Sequence, residues 1–167
     1  MTSNTLLIKN GLLVSSKEVS KDDVFIENGK IKKVQPSIEQ DADLIVDASN
    51  LHVLPGIIDP QVHFRDPGLT HKEDLRTGSI AAAAGGITTF FEMPNTNPST
   101  TTLRLLAEKN KMAMEKSLVN FSFFLGATNN NLDQIKKLSG NCGLKIFMGS
   151  STGDLLVDRD EDLEKIF

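Results

Sequence analysis

From Pro55-Gly56 onward, apolar runs and helical segments alternate with a regular period. Ile57 to His63 reads as a strand, Glu73 to Ala84 as a helix stopped by Gly85-Gly86, and Ile87 to Met93 as a strand closed by Pro94. Thr101 to Lys116 is helical, Val119 to Leu125 is a strand, and Leu132 to Leu138 is a short helix. Gly143 to Met148 is a strand, and Asp160 to Phe167 opens another helix. The strands therefore start at 57, 87, 119 and 143. They are almost continuously apolar, the mark of parallel strands covered on both faces. Such an alternation folds as an open α/β sheet or as a (β/α)8 barrel. A closed barrel needs eight units and typically about 250 residues. Four units in 167 residues give half a barrel, with residues 55–167 as its first half.

Residues 1–54 follow another pattern. Val24-Phe25-Ile26-Glu27, Asn28-Gly29 and Lys30 to Val34 spell a hairpin, because Asn and Gly both accept positive φ. Leu6-Leu7-Ile8, Asn10-Gly11 and Leu12-Leu13-Val14 repeat it more weakly, and Leu44 to Val46 and Leu51 to Leu54 add further strand. This is a small β-rich module, too small to stand alone.

Charge and composition exclude several roles. A net charge of −4 without a basic stretch leaves nucleic acid no electrostatic footprint. The start, Met1 to Thr5, has no basic region followed by a long apolar run, so no secretory signal is expected. No uncharged stretch reads as a membrane span: the candidate Thr77 to Phe91 is diluted by Ala, Gly and Thr and falls short of the about 20 residues required. Cys142 is the single cysteine, which rules out an intrachain disulfide and points to a cytoplasmic location.

In parallel α/β folds the chemistry gathers at the C-terminal ends of the strands. There the first strand has Gln61, His63 and Arg65, the second has Asn95, and the fourth contains Lys145. Gln61 and His63 are two residues apart and project from one face. A neutral imidazole there suits zinc, or is a satisfied core histidine. Arg65 offers a planar fork for a carboxylate, or makes a surface ion pair. Asn95 is a turn residue or an amide for substrate. Lys145, flanked by Leu144 and Ile146, is costly to bury unless a carboxylate pairs it or CO2 converts it to a carbamate.

Other features carry less. Gly149-Ser150-Ser151-Thr152-Gly153 matches the G-x-S-x-G elbow of serine hydrolases, but no histidine follows His71 and the next segment is a poor helix, so it reads as a Gly-rich loop. His71 reads as a solvated loop residue and His52 as a partly exposed strand residue. The sequon Asn120-Phe121-Ser122 falls in a buried strand and is dismissed.

Four segments in order, Pro55 to Gly68, Gly85 to Thr89, Met93 to Thr96 and Gly143 to Gly149, resemble dihydroorotases of the cyclic amidohydrolase family. The resemblance runs over essentially the whole chain. It implies a (β/α)8 barrel with a small β-sandwich, residues 1–54 being the N-terminal part of that sandwich. It implies zinc, one or two ions, and reversible hydrolysis of dihydroorotate to N-carbamoyl-aspartate in pyrimidine synthesis. His63 would be a zinc ligand that also faces the substrate, Arg65 and Asn95 would bind substrate, and Lys145 would be a carbamylated bridging ligand. Phe64 would add a backbone contact. The remaining histidine ligands and the catalytic Asp would lie beyond Phe167, so residues 1–167 alone are expected to be inactive.

The chain departs from the family at Gln61, where a His-x-His pair is usual; an amide oxygen is a weaker ligand than imidazole. The alternatives are a hydantoinase, dihydropyrimidinase or allantoinase, against which Arg65 argues, and a non-catalytic scaffold partnering aspartate transcarbamoylase, for which Gln61 argues. Homo-oligomerisation stays open. In the whole protein, Gln61→His should raise bound zinc per protomer, measured by metal analysis; unchanged stoichiometry would count against a ligand role at this position.

Overall fold

The hairpin at Asn28-Gly29 forms as its residues demand, with φ of 50° and 73° at the two turn positions. In the computed structural model, which describes residues 4–151 and 153–167, this hairpin belongs to the first of two units, Met1–Pro55 and Gly56–Phe167. The first unit is one five-stranded sheet of β1 (Thr5–Val14), β2 (Val19–Glu27), β3 (Lys30–Gln35), β4 (Leu44–Asp47) and β5 (His52–Val53). The order is β3-β2-β1-β4, with β5 also on β1. The first three strands pair antiparallel, whereas β4 and β5 lie parallel to β1. Leu7, Phe25 and Ile38 form its core.

Asn10-Gly11 is not a second hairpin. It is a bulge inside the continuous strand β1, with Asn10 at φ 64°. Parallel partners hold β1 straight on both sides of it, and the buried Asp23 accepts the displaced Asn10 N–H at 2.8 Å. Gly11 is needed there, because a Cβ would stand 2.6 Å from Val53 Cγ2.

The second unit carries the βα repeat: β6 (Ile57–Val62), α1 (Leu75–Ala84), β7 (Ile87–Glu92), α2 (Leu103–Lys116), β8 (Asn120–Gly126), α3 (Leu132–Ile135), β9 (Gly143–Lys145) and α4 (Asp160–Ile166). The four strands are parallel and lie in chain order, β6-β7-β8-β9. A doubly wound sheet reverses direction at a switch point; a barrel wall does not. Asp74 caps α1 through the Thr77 amide at 2.8 Å, and that hydrogen bond holds the Asp74 carboxyl below its usual range. Thr102 caps α2 in the same way through Leu105 N.

β9 is shorter than its apolar run. After Lys145 the chain leaves β8, and Phe147 forms a bridge with Leu156 instead. The Gly-rich segment leads only into a short 3-10 turn, Gly153–Leu155; Thr152 of the G-x-S-x-G match lies outside the described residues.

Between the sheet and its helices lies a core of Leu75, Phe90, Leu106, Ala113 and Phe123, with Val62, Phe64 and Phe121 packed against it. The Phe64 and Phe90 rings meet edge-to-face at 4.8 Å between centroids. Phe64 also lies on Gly78 of α1, where a Cβ would sit 2.6 Å from the ring. Phe90 is fully buried at the centre of this layer. Phe90→Ala should lower the stability of the whole protein by about 3–5 kcal/mol, read from chemical denaturation, through the lost burial and the cavity left behind.

Candidate active site

The site begins with a break in β6. Pro60 has no N–H to give the ladder, and the register to β7 shifts between Asp59 and Val62. The Gln61 N–H turns instead to Asp59 Oδ1, at 3.0 Å. Val62 and Phe64 then pack into the helix-side core, which sends His63 to the other face. The next residue, Arg65, stands at φ 71°, and its N–H donates to Glu92 Oε1 at 3.0 Å.

One residue of the second strand end gathers the others. Asn95 is 7% exposed, in a turn closed by hydrogen bonds from the amides of Thr96 and Thr100 to Pro94 O, each 2.9 Å. Its side-chain Oδ1 lies 2.9 Å from His63 Nδ1, and its backbone carbonyl accepts from Arg65 Nη1 at 3.0 Å. An amide oxygen only accepts, so with this orientation Nδ1 carries the proton and the neutral ring presents its lone pair at Nε2. Met93 N donates to Val62 O at 3.0 Å, tying the two strand ends together.

The loop after Arg65 is held as firmly. The buried Asp66 carboxylate takes Lys116 Nζ at 2.7 Å and the Leu75 amide at 3.3 Å. Gly68, at φ 87°, passes so close to Asn97 that a Cβ would overlap the Asn97 carbonyl.

Behind this layer is a buried charge pair that sequence reasoning missed. Lys109 Nζ lies 2.9 Å from Glu92 Oε2, and both side chains are 1% exposed. The contact is an ion pair outside hydrogen-bond angles; Lys109 Nζ also donates to Met93 O at 3.3 Å and sits 4.8 Å over the Phe123 ring. Burial pushes the Glu92 carboxyl up and the Lys109 ammonium down, and each is opposed by the other's charge. The signal was present in the sequence. Lys109 shares the helical stripe of Leu106 and Ala113, and Glu92 is the lone charge ending an otherwise uncharged strand.

Of the residues expected from sequence, His63, Arg65 and Asn95 are thus brought into one connected group. Gln61 is exposed, and no hydrogen bond joins its side chain to that group among the described residues. Lys145 is half-buried at the end of β9, with its ammonium 5.0 Å from the Phe147 ring and no carboxylate within ion-pair distance among the described residues. Neither His52 nor His71 is buried. Among the described residues no group of three or more His, Cys, Asp or Glu could hold a metal ion. His63 fits the part of one metal ligand, through Nε2; the chain's described residues do not make up a complete set.

Residues 52–156 match the model of the amidohydrolase family. A dihydroorotase of Methanosarcina acetivorans is 40% identical over 156 residues, 92% of this chain and 33% of that protein. An allantoinase of Deinococcus radiodurans is also 40% identical, over 149 residues, 87% of this chain and 33% of its own length. Among solved structures, an L-hydantoinase (dihydropyrimidinase) from Arthrobacter aurescens superposes with a TM-score of 0.90 at 33% identity, over 96% of this chain and 37% of that one. The parallel sheet is the curled half-barrel of such proteins. The chain spans about a third of the length of the curated relatives it matches.

The buried pair gives a test of its own. Glu92→Leu leaves the buried Lys109 ammonium without its counter-charge and should cost about 3–5 kcal/mol in denaturation of the whole protein. Adding Lys109→Met should recover most of that loss.

Proposed function

The chain belongs to the amidohydrolase family, and we propose that it is the leading part of a dihydroorotase, which opens the ring amide of dihydroorotate to N-carbamoyl-aspartate and closes it again. Family members are generally metal-dependent hydrolases, and the relatives named above act on cyclic amides. The observation that carries the finer reading is the Arg65 guanidinium, fixed through Asn95 beside His63 at the ends of two adjacent parallel strands. Residues 1–54 are then the N-terminal part of a composite β-sandwich and 55–167 the first half of the barrel. A cytoplasmic location and a soluble small-molecule substrate go with this reading; among the described residues no helix is long and apolar enough to cross a membrane.

In this reading the Arg65 fork takes the ring carboxylate, a charge-assisted and planar contact that also sets the orientation of the ring. The Asn95 Oδ1 is engaged by His63, which leaves its Nδ2 to donate to a substrate carbonyl. His63 would hold zinc by Nε2, its tautomer set by Asn95. Lys145, as its carbamate, and Gln61, as a weak amide ligand, are the other groups this chain offers to one or two ions. When bound, zinc supplies a hydroxide near neutral pH and polarises the scissile carbonyl. Water adds to the amide carbon, the ring C–N bond breaks, and the ring nitrogen takes a proton. The residue that handles this proton is expected beyond Phe167.

Two other readings rest on specific observations. The equal identity to allantoinases and the structural likeness to a hydantoinase favour a related cyclic amide without a carboxylate. Gln61, exposed and unlinked to the His63 group, favours a non-catalytic scaffold partnering aspartate transcarbamoylase. Turnover of dihydroorotate, hydantoin and allantoin by the whole protein separates the three. We expect dihydroorotate to be preferred, and Arg65→Met to raise its KM by about 10–100-fold, as for a lost charged hydrogen bond. An equal loss on hydantoin would mean that Arg65 does not read the carboxylate. Absence of turnover with tight partner binding would favour the scaffold.

A further inference from the structure

The Glu92–Lys109 pair touches both segments that carry the site. Glu92 ends β7, and its two oxygens are divided: Oε1 accepts the Arg65 N–H at 3.0 Å, while Oε2 takes the Lys109 ammonium at 2.9 Å. Lys109 reaches from α2 to the Met93 carbonyl, two residues before Asn95. The backbone that Glu92 grips is the one whose left-handed φ an arginine does not choose unaided. Packing does not account for two charges here, since an apolar pair of similar volume fills the space without their desolvation cost. What an apolar pair lacks is an acceptor for the Arg65 amide, which points at Oε1 from a loop with no strand partner.

We propose that Glu92 and Lys109 are positioning residues for Arg65: Lys109 fixes the buried Glu92 carboxylate, and that carboxylate holds the Arg65 backbone in the turn that lays its guanidinium on Asn95. The inference deepens the reading above, and rests on it for the role of the guanidinium but not for the geometry. The ion pair touches no reacting atom; it acts through the angle at which the fork is presented.

The test compares two double variants of the whole protein. Glu92→Gln with Lys109→Met removes both charges and keeps an acceptor oxygen; Glu92→Leu with Lys109→Met removes the acceptor as well. KM is measured on whichever of dihydroorotate, allantoin and hydantoin the wild-type protein turns over best, so a wrong substrate class leaves the comparison intact. The Gln/Met variant should keep KM within about threefold, and the Leu/Met variant should raise it at least about tenfold with kcat changed less than about threefold. A folded Leu/Met variant with wild-type KM overturns the proposal. So does an equal rise in both variants, or a loss confined to kcat. A second readout needs neither turnover nor a variant. In the wild-type protein, hydrogen exchange at the Arg65 amide, relative to its intrinsic rate, should be at least about tenfold slower than at the exposed Thr70. Equal exchange overturns the proposal. Slow exchange without turnover of any cyclic amide sustains it while the functional reading fails.

Discussion

The contact of Phe64 with Phe90 and Gly78 is the constraint on which the site depends. Side chains of a strand alternate between two faces, so fixing one residue fixes its neighbours. Phe64 has only one place to go, an aromatic slot lined by the fully buried Phe90 ring and by a helix position that has no side chain. Once it is seated, His63 must face away from the helices, and the chain must turn at Arg65 to leave the core. Pro60 contributes from the other side, breaking the ladder early so that the strand end is free to follow this packing rather than the register of β7. A hydrophobic contact thereby determines where an imidazole and a guanidinium stand.

The polar connections refine what the core has placed. Three carboxylates share this work. Asp66 anchors the loop to the start of α1 and to Lys116, Asp74 caps that helix, and Glu92 meets the loop backbone from β7. Half-buried Asp74 needs only the helix amide. Glu92, fully buried, needs a full counter-charge, which explains a lysine on the apolar stripe of α2. Asn95 closes the arrangement because it offers two different acceptors, a side-chain oxygen to His63 and a backbone carbonyl to Arg65. Its place in a buried, doubly bonded turn means that neither partner can shift without the other.

Much of this was legible in the sequence, and the exceptions have physical causes. The period of the apolar runs was enough for the order and type of elements in residues 56–167, because long parallel strands and capped helices carry strong local signals. Asn28-Gly29 was legible as a turn for the same reason. The identical dipeptide at Asn10-Gly11 was not legible as a bulge, since the difference lies in the parallel partners β4 and β5, more than thirty residues away. The early end of β9 reflects a bridge formed after the strand, Phe147 to Leu156, which the apolar run does not signal. His63, Arg65 and Asn95 could be picked out as polar groups at strand ends, but their meeting on one asparagine could not. Glu92 and Lys109 escaped notice because a charged residue in an amphipathic pattern reads as solvated until burial shows otherwise.

The same geometry bears on specificity. The likeness to the hydantoinase structure extends over nearly the whole chain and is a likeness of fold, which does not by itself separate one ring from another. Separation has to come from groups that a ring either satisfies or leaves unpaired. A guanidinium braced through both its backbone and its fork has little freedom to swing back to water when a ligand arrives without a carboxylate. On the proposed reading such a ligand would desolvate the fork and leave it only the Asn95 carbonyl, and sites built to pair a polar group discriminate strongly against analogues that lack it. The more rigidly Arg65 is held, the stronger this rejection becomes. On the proposed reading, in which Arg65 meets a ring carboxylate, bracing Arg65 with a buried ion pair would suit an acidic ring better than a neutral one.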